Sequence, residues 1–248
     1  MNLEGSTALI TGAAHRVGKG IALSLAEQGC NILVHYHNSA DEAATTVKEL
    51  QSYGIEAESF SADLLDIQQL TDSITAINES YDYQILVNSA ASFIKKPFHD
   101  ITQHDWDTAM NLNTRAPFFL IQHTAPVLQK QHDSLIVNIG DLSGIYPWKN
   151  FTAHGVSKAA LIQLTKYAAR ELAPIRCNAI IPGPILPPPD MKETDPTWQE
   201  MIAKLPLKKS GDPRFIGNTV GYFAENDFIT GAVIKVDGGE GLVGAANH

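Results

Sequence analysis

Short apolar runs alternate with longer amphipathic stretches from one end of the chain to the other. That rhythm marks repeated βα units feeding a parallel sheet. Seven runs read as strands, at residues 7–11, 31–36, 56–62, 84–89, 135–140, 177–182 and 232–237. Most lack strict alternation, which predicts burial on both faces. Helical periodicity fills the gaps at residues 19–28, 40–52, 67–79, 103–128, 152–172 and 213–225. No internal repeat or linker breaks the order. The pattern therefore predicts an α/β fold over residues 1–248: a single Rossmann-type doubly wound domain, its seven-stranded parallel sheet covered by helices on both faces. The exception is the proline-rich stretch 183–195, followed by Thr-Trp-Gln-Glu-Met-Ile-Ala-Lys-Leu. A loop this long in a compact domain is more often functional than incidental, so residues 183–210 are expected to form a substrate lid.

Composition narrows the class. Apolar residues make up 44% and charged residues 18% of the 248, the balance of a packed protein rather than a disordered one. A net charge of −9 supplies no basic face to neutralise phosphates, so nucleic acid is not an expected partner. Cys30 and Cys177 fall in strand segments and read as small core hydrophobes, without a disulfide. The first residues enter a strand without a basic stretch or an apolar signal core, and no run reaches the length of a membrane span. A cytoplasmic protein with a small-molecule partner, no membrane and no metal is expected.

The chemistry starts at Thr11-Gly12-Ala13-Ala14-His15-Arg16-Val17-Gly18, which follows the first strand and opens a helix. In that context Gly12 permits a tight turn, Gly18 permits close helix packing, and the free amides at the helix start would receive a pyrophosphate. The second strand ends Tyr36-His37-Asn38-Ser39, with no carboxylate at its tip to take the ribose hydroxyls of NAD, so a 2′-phosphate is tolerated.

The segment resembles the TGxxxGxG signature of the short-chain dehydrogenase/reductase superfamily, with Arg16 where the middle glycine normally stands. Pteridine reductases and related dihydropterin reductases typically carry an arginine there. An arginine at that place could pair with phosphate oxygens and still point its planar fork at a substrate carbonyl. The run after the second strand is also similar to theirs, except that Asn38 replaces an arginine of the phosphate cradle. The resemblance implies adenine contacts at Asp63 and Leu64, and cofactor contacts at His15, Asn88, Ser89 and Ala90 where the fourth strand closes. It places Phe93 where an aromatic ring sandwiches the pterin against the nicotinamide. Near the sixth strand, Pro182, Gly183 and Ile185 lie in a stretch resembling ELAP…RVNAIAPGPI, whose backbone would hold the carboxamide. The usual threonine two residues later is Pro187.

The superfamily uses Ser, Tyr and Lys with a helix Asn. Lys158 is present, but four residues before it stands His154 instead of Tyr, and thirteen before that stands Asp141 instead of Ser. The aspartate is what pteridine reductases show; the histidine is not. Asn113 matches the helix asparagine. The resemblance implies an NADP(H)-dependent reductase of a dihydropterin or similar flat, polar heterocycle. His154 is then the proton donor, with a protonated Asp141 or a substrate-bound water as the alternative source; Lys158 and Asn113 stand beside it, and Arg16, Phe93 and Asp141 against the substrate. A homotetramer is implied, packed in part through Leu161, Leu164, Tyr167 and Ala168. Two alternatives stand: a carbonyl reductase of 3-oxoacyl thioesters or small ketones, and an NADP(H)-binding protein whose catalysis is impaired.

Overall fold

A computed structural model of the chain describes residues 1–243. Seven parallel strands form one sheet in the order β3-β2-β1-β4-β5-β6-β7. They are β1 (Thr7–Ile10), β2 (Asn31–Tyr36), β3 (Ala57–Ser61), β4 (Ile85–Asn88), β5 (Leu135–Ile139), β6 (Arg176–Pro182) and β7 (Val233–Val236). Residues 240–243 form a short helix outside this sheet, and residues 244–248 of the expected domain span lie outside the described residues. β4 and β5 are buried at every position, as continuous apolar runs predict. β3, at the edge, is largely exposed.

Successive side chains of β1 divide the core. Ala8 and Ile10 face one side and pack with α1 (Arg16–Ala26) and α8 (Pro213–Glu225) through Ile21, Leu25, Ile216 and Phe223. Leu9 faces the other and meets Leu70, Ile74, Leu120 and Ile121 of α3 (Ile67–Ser80) and α5 (Ala116–Leu128). That split follows from the two-residue period of a strand.

Two elements differ from expectation. The helix expected over 103–128 is α4 (Gln103–Met110) and α5 joined by a π turn at Asn111–Arg115. The Ala116 N–H reaches back to the Asn111 carbonyl, and Pro117 supplies no N–H for the Asn113 carbonyl. The wide turn sets Asn113 inward, fully buried. The expected lid also contains a helix, α7 (Pro196–Ala203). Asp195 accepts from the Thr197 N–H and Pro196 opens the first turn, a strong start signal. Trp198, Ile202 and Leu205 give this segment a small core of its own.

A polar ladder crosses the buried sheet. Asn138 of β5 accepts from Asn88 Nδ2 at 2.8 Å and donates to Thr165 Oγ1 at 2.9 Å, tying β4 and β5 to α6 (Thr152–Glu171). Asn138→Leu would leave the Asn88 amide without its partner in a dry core and Thr165 with only its bond to the Leu161 carbonyl. Urea denaturation should show it at least about 2 kcal/mol less stable than the parent.

Candidate functional site

The strand order reverses between β1 and β4, where a crevice opens at the carboxyl ends. Thr11 closes its base, its Oγ1 accepting from the main-chain N–H groups of Ser89 and Ala90 at 3.0 and 3.1 Å. Gly12 has φ +65°, and a Cβ there would lie 3.0 Å from Ala90 Cα; a Cβ at Gly18 would run into the Gly12 carbonyl. Only glycine allows so close an approach. The N-terminal amides of α1 have no side-chain cap, so they remain open to an anion.

A cavity of about 1040 Å³ fills the crevice. Gly12, His15, Arg16, Val17 and Gly18 line its base, Tyr36, His37, Asn38, Ser39, Asp63 and Leu64 one end, Ser89 and Ala90 the middle. Phe93, Asp141, His154, Lys158, Pro182, Gly183 and Ile185 line the other end, with Pro188, Met191, Trp198 and Met201 from the expected lid across from them. The cradle, the uncapped α1 amides and the volume of the cavity fit a dinucleotide. Among the described residues no group of three or more His, Cys, Asp or Glu is placed to hold a metal.

Several side chains stand elsewhere than sequence suggests. Asn88 does not line the cavity; its amide is committed to Asn138. Arg16 lines the base but sends Nη2 to the Pro187 carbonyl at 2.7 Å, fastening the lid segment to the glycine loop. It does so at φ +53°, the left-handed conformation that explains why glycine is usual there. His35 points inward: Gly12 N–H donates to its Nδ1 at 3.2 Å, and Nε2 lies 3.0 Å from the Ala62 carbonyl. That fixes the Nε2–H tautomer, and burial lowers its pKa to about 4. Tyr146, outside the cavity lining, accepts from Lys235 Nζ at 2.9 Å. Leu161 and Ala168 are buried within the chain, leaving Tyr167 exposed on that helix. Cys30 and Cys177 are buried and free.

At the far end, α6 presents His154 and Lys158 on one face, four residues apart. His154 Nδ1 lies 2.9 Å from the Ser92 carbonyl, so Nδ1 carries a proton. Asn113 holds that peptide from the other side, its Oδ1 accepting from Ser92 N–H at 2.8 Å and its Nδ2 donating to Ser92 O at 3.1 Å. The Nε2 atom is buried without a hydrogen bond and lies 3.6 Å from Asp141 Oδ2, an ion-pair distance too long for a hydrogen bond. With Nδ1–H committed, Nε2 holds a proton only in the imidazolium. Burial works to raise the Asp141 pKa, but His154 and the Ser143 hydrogen bonds outweigh it and hold the carboxyl below its ordinary range. Lys158 donates to the Ile139 carbonyl at 2.8 Å; burial lowers its pKa to about 8, against the pull of Asp141. Phe93 stands edge-on to His154 at 4.8 Å and next to Phe151 at 4.9 Å. Ser92, Phe151 and Trp198 escape a sequence reading, Ser92 because it acts through main-chain atoms that carry no residue signature.

A nucleotide cradle at the switch point beside a buried lysine and a proton-carrying ring defines the class, a dinucleotide-dependent oxidoreductase on a doubly wound sheet. Residues 12–240 match the family model described as Enoyl-(Acyl carrier protein) reductase, and the chain belongs to that family within the short-chain dehydrogenase/reductase superfamily. It is 32% identical over 238 residues to the 3-oxoacyl-[acyl-carrier-protein] reductase FabG of Staphylococcus epidermidis, covering 94% of this chain and 98% of that one. The structure of FolM alternative dihydrofolate reductase 1 from Brucella suis in complex with NADP superposes with a TM-score of 0.90 at 32% identity, covering 98% and 97%. A blue fluorescent protein from a metagenomic library in complex with NADPH gives 0.86 at 32%, covering 96% and 99%.

Two predictions follow from the glycine loop. His35 takes up a proton at its ordinary 6.5 when unfolded but only near 4 when folded. Stability is therefore full above 6.5 and falls as pH drops toward 4, by on the order of 3 kcal/mol. His35→Asn keeps an acceptor for Gly12 N–H without titrating, and its Tm should fall less than the parent's between about pH 7 and about pH 4.5. Arg16→Gly relieves the left-handed strain while losing the tie to Pro187. Its stability should stay within about 1 kcal/mol of the parent, while hydrogen exchange over residues 183–195 accelerates.

Proposed function

We propose that the protein is an NADPH-dependent reductase acting on a dihydropterin or a similarly flat, polar heterocycle. The observation that carries this reading is His154 Nε2, buried without a hydrogen bond and 3.6 Å from Asp141 at the end of the dinucleotide cavity. An unsatisfied polar atom in such a place calls for a ligand group. The cofactor is NADP(H), in accord with the cofactors of the related structures, and supplies hydride. Gly12, His15, Arg16, Val17 and Gly18 hold its pyrophosphate. Tyr36, His37, Asn38 and Ser39 surround the 2′-phosphate, where the Ser39 side chain makes no cap bond to α2 (Ala40–Gln51). Asp63 and Leu64 flank the adenine, Asn88 shapes the β4 end that carries Ser89 and Ala90, and Lys158 grips the nicotinamide ribose. Pro182, Gly183 and Ile185 present main chain to the carboxamide.

On the substrate side, Phe93 stacks on the heterocycle, Arg16 borders it and Asp141 pairs with its ring N–H. His154 delivers the proton, held in register by Ser92 and Asn113, and residues 183–210 act as the lid. The likeness to an alternative dihydrofolate reductase supports a reduced pterin ring as the acceptor. The likeness to 3-oxoacyl reductases favours a second reading, a carbonyl reductase. No helix among the described residues is long and apolar enough to cross a membrane. The exposed Phe118, Val156 and Tyr167 on α5 and α6 suit packing in a homotetramer.

NADPH oxidation with dihydrobiopterin tests the reading. His154→Phe keeps a ring but carries no proton, and should lower kcat by about 100-fold or more while still binding NADPH. Unchanged turnover in the variant would remove His154 from the chemistry, and a parent that binds NADPH without oxidising it would fit impaired catalysis.

A further inference from the structure

The cavity end differs from its superfamily in charge as well as in residue type. Where the superfamily has a serine hydroxyl able to donate, this chain has the Asp141 carboxylate. Its Oδ1 is occupied, accepting from the Ser143 N–H at 2.8 Å and the Ser143 hydroxyl at 2.5 Å. Oδ2 is thus the oxygen that faces His154 Nε2. Of the cations lining the cavity, Lys158 directs Nζ at the Ile139 carbonyl and Lys95 stands over the Phe151 ring, 5.6 Å from its centroid. Phe93 and Phe151 add an aromatic wall beside the pair.

A carbonyl oxygen gains negative charge as it is reduced. Placed against His154, it would develop that charge next to a carboxylate, with one donor where the superfamily offers two. The arrangement opposes an oxyanion. A protonated carbon–nitrogen double bond has the opposite needs, because it is a cation before reduction and neutral after. Its N–H has an acceptor in Asp141 Oδ2, and its charge is favoured by the carboxylate and by aromatic rings.

We infer that the bond reduced at this site is a C=N bond in its protonated form, and that the protein reduces cyclic imines carrying no pterin ring. The inference rests on the reductase reading above and widens its substrate class. The step balances: the imine nitrogen takes the proton held on His154 Nε2, the carbon takes the hydride that NADPH supplies, and the products are a secondary amine and NADP⁺. A solvent proton then restores the imidazolium.

The test uses the full chain with NADPH and three probes: 3,4-dihydroisoquinoline, its ketone counterpart α-tetralone, and the permanently charged N-methyl-3,4-dihydroisoquinolinium. The imine should be reduced with kcat/KM at least about 10-fold above the ketone. Asp141→Ser, which restores a donor, should reverse that order. Asp141→Asn keeps an oxygen for the Ser143 N–H, and a Tm close to the parent's verifies its fold. A readout independent of turnover is binding of the isoquinolinium without cofactor, followed by fluorescence of Trp148 and Trp198, which both line the cavity. Its Kd should rise by about 10-fold or more in Asp141→Asn. His154→Phe should still reduce the permanent cation, which needs no proton, but not the neutral imine. Ketone reduced ahead of imine, or isoquinolinium bound equally by parent and Asp141→Asn, overturns the inference and leaves a reductase of another acceptor. Imine reduced with dihydrobiopterin untouched supports the inference and removes the pterin reading.

Discussion

The peptide at Ser92 is held from two sides, and the chemistry of the cavity depends on that hold. Asn113 takes both its N–H and its carbonyl, and the same carbonyl receives the Nδ1 proton of His154. A carbonyl accepts and never donates, so it settles which ring nitrogen is protonated. Everything at the reacting end follows from that choice. Nε2 is left as the atom facing Asp141, and it carries a proton only when the whole ring is charged. Asn113 can act there because the π turn at Asn111–Arg115 rotates it into the core. Distortion in one helix thereby sets the protonation chemistry of another.

The same logic of committed main-chain groups runs through the nucleotide end. His35 lies between the Gly12 N–H and the Ala62 carbonyl, and burial there holds it neutral as a brace for the glycine loop. Thr11 braces the opposite wall. With the loop held on both sides, Arg16 can stand in the left-handed conformation at a cost of roughly 1–2 kcal/mol. The hydrogen bond to Pro187 helps offset that cost and joins cofactor loop to lid. Arginine at 16 and proline at 187 both depart from the superfamily pattern, and they meet each other.

Burial gives the two charged groups of the site different characters. Lys158, sunk in the core, is pushed down to about 8, so its charge is within reach of mild alkali. Asp141 stays ionised despite burial because Ser143 and His154 surround it. A serine at that place would offer a donor to a growing negative charge; a carboxylate offers an acceptor to a positive one. The exchange of residue is thus an exchange of the charge that the cavity end can stabilise.

The seven strands, the layers of helices and the position of the glycine cradle were legible in the chain, because periodicity and turn chemistry are local properties; the order of strands in the sheet came only with the structure. The superfamily resemblance pointed to Asp141, His154, Lys158 and Asn113, and the structure brings these side chains close to one another. Their relations were not legible in the chain. Sequence could not tell that Asn88 serves the Asn138 ladder, that Leu161 and Ala168 face inward, that Tyr146 turns to Lys235, or that Arg16 reaches Pro187. Each of these depends on partners distant along the chain, brought together only when the sheet closes. The tautomer of His154 is the sharpest case, since its partner is a main-chain carbonyl 62 residues away, and a carbonyl looks the same in every residue.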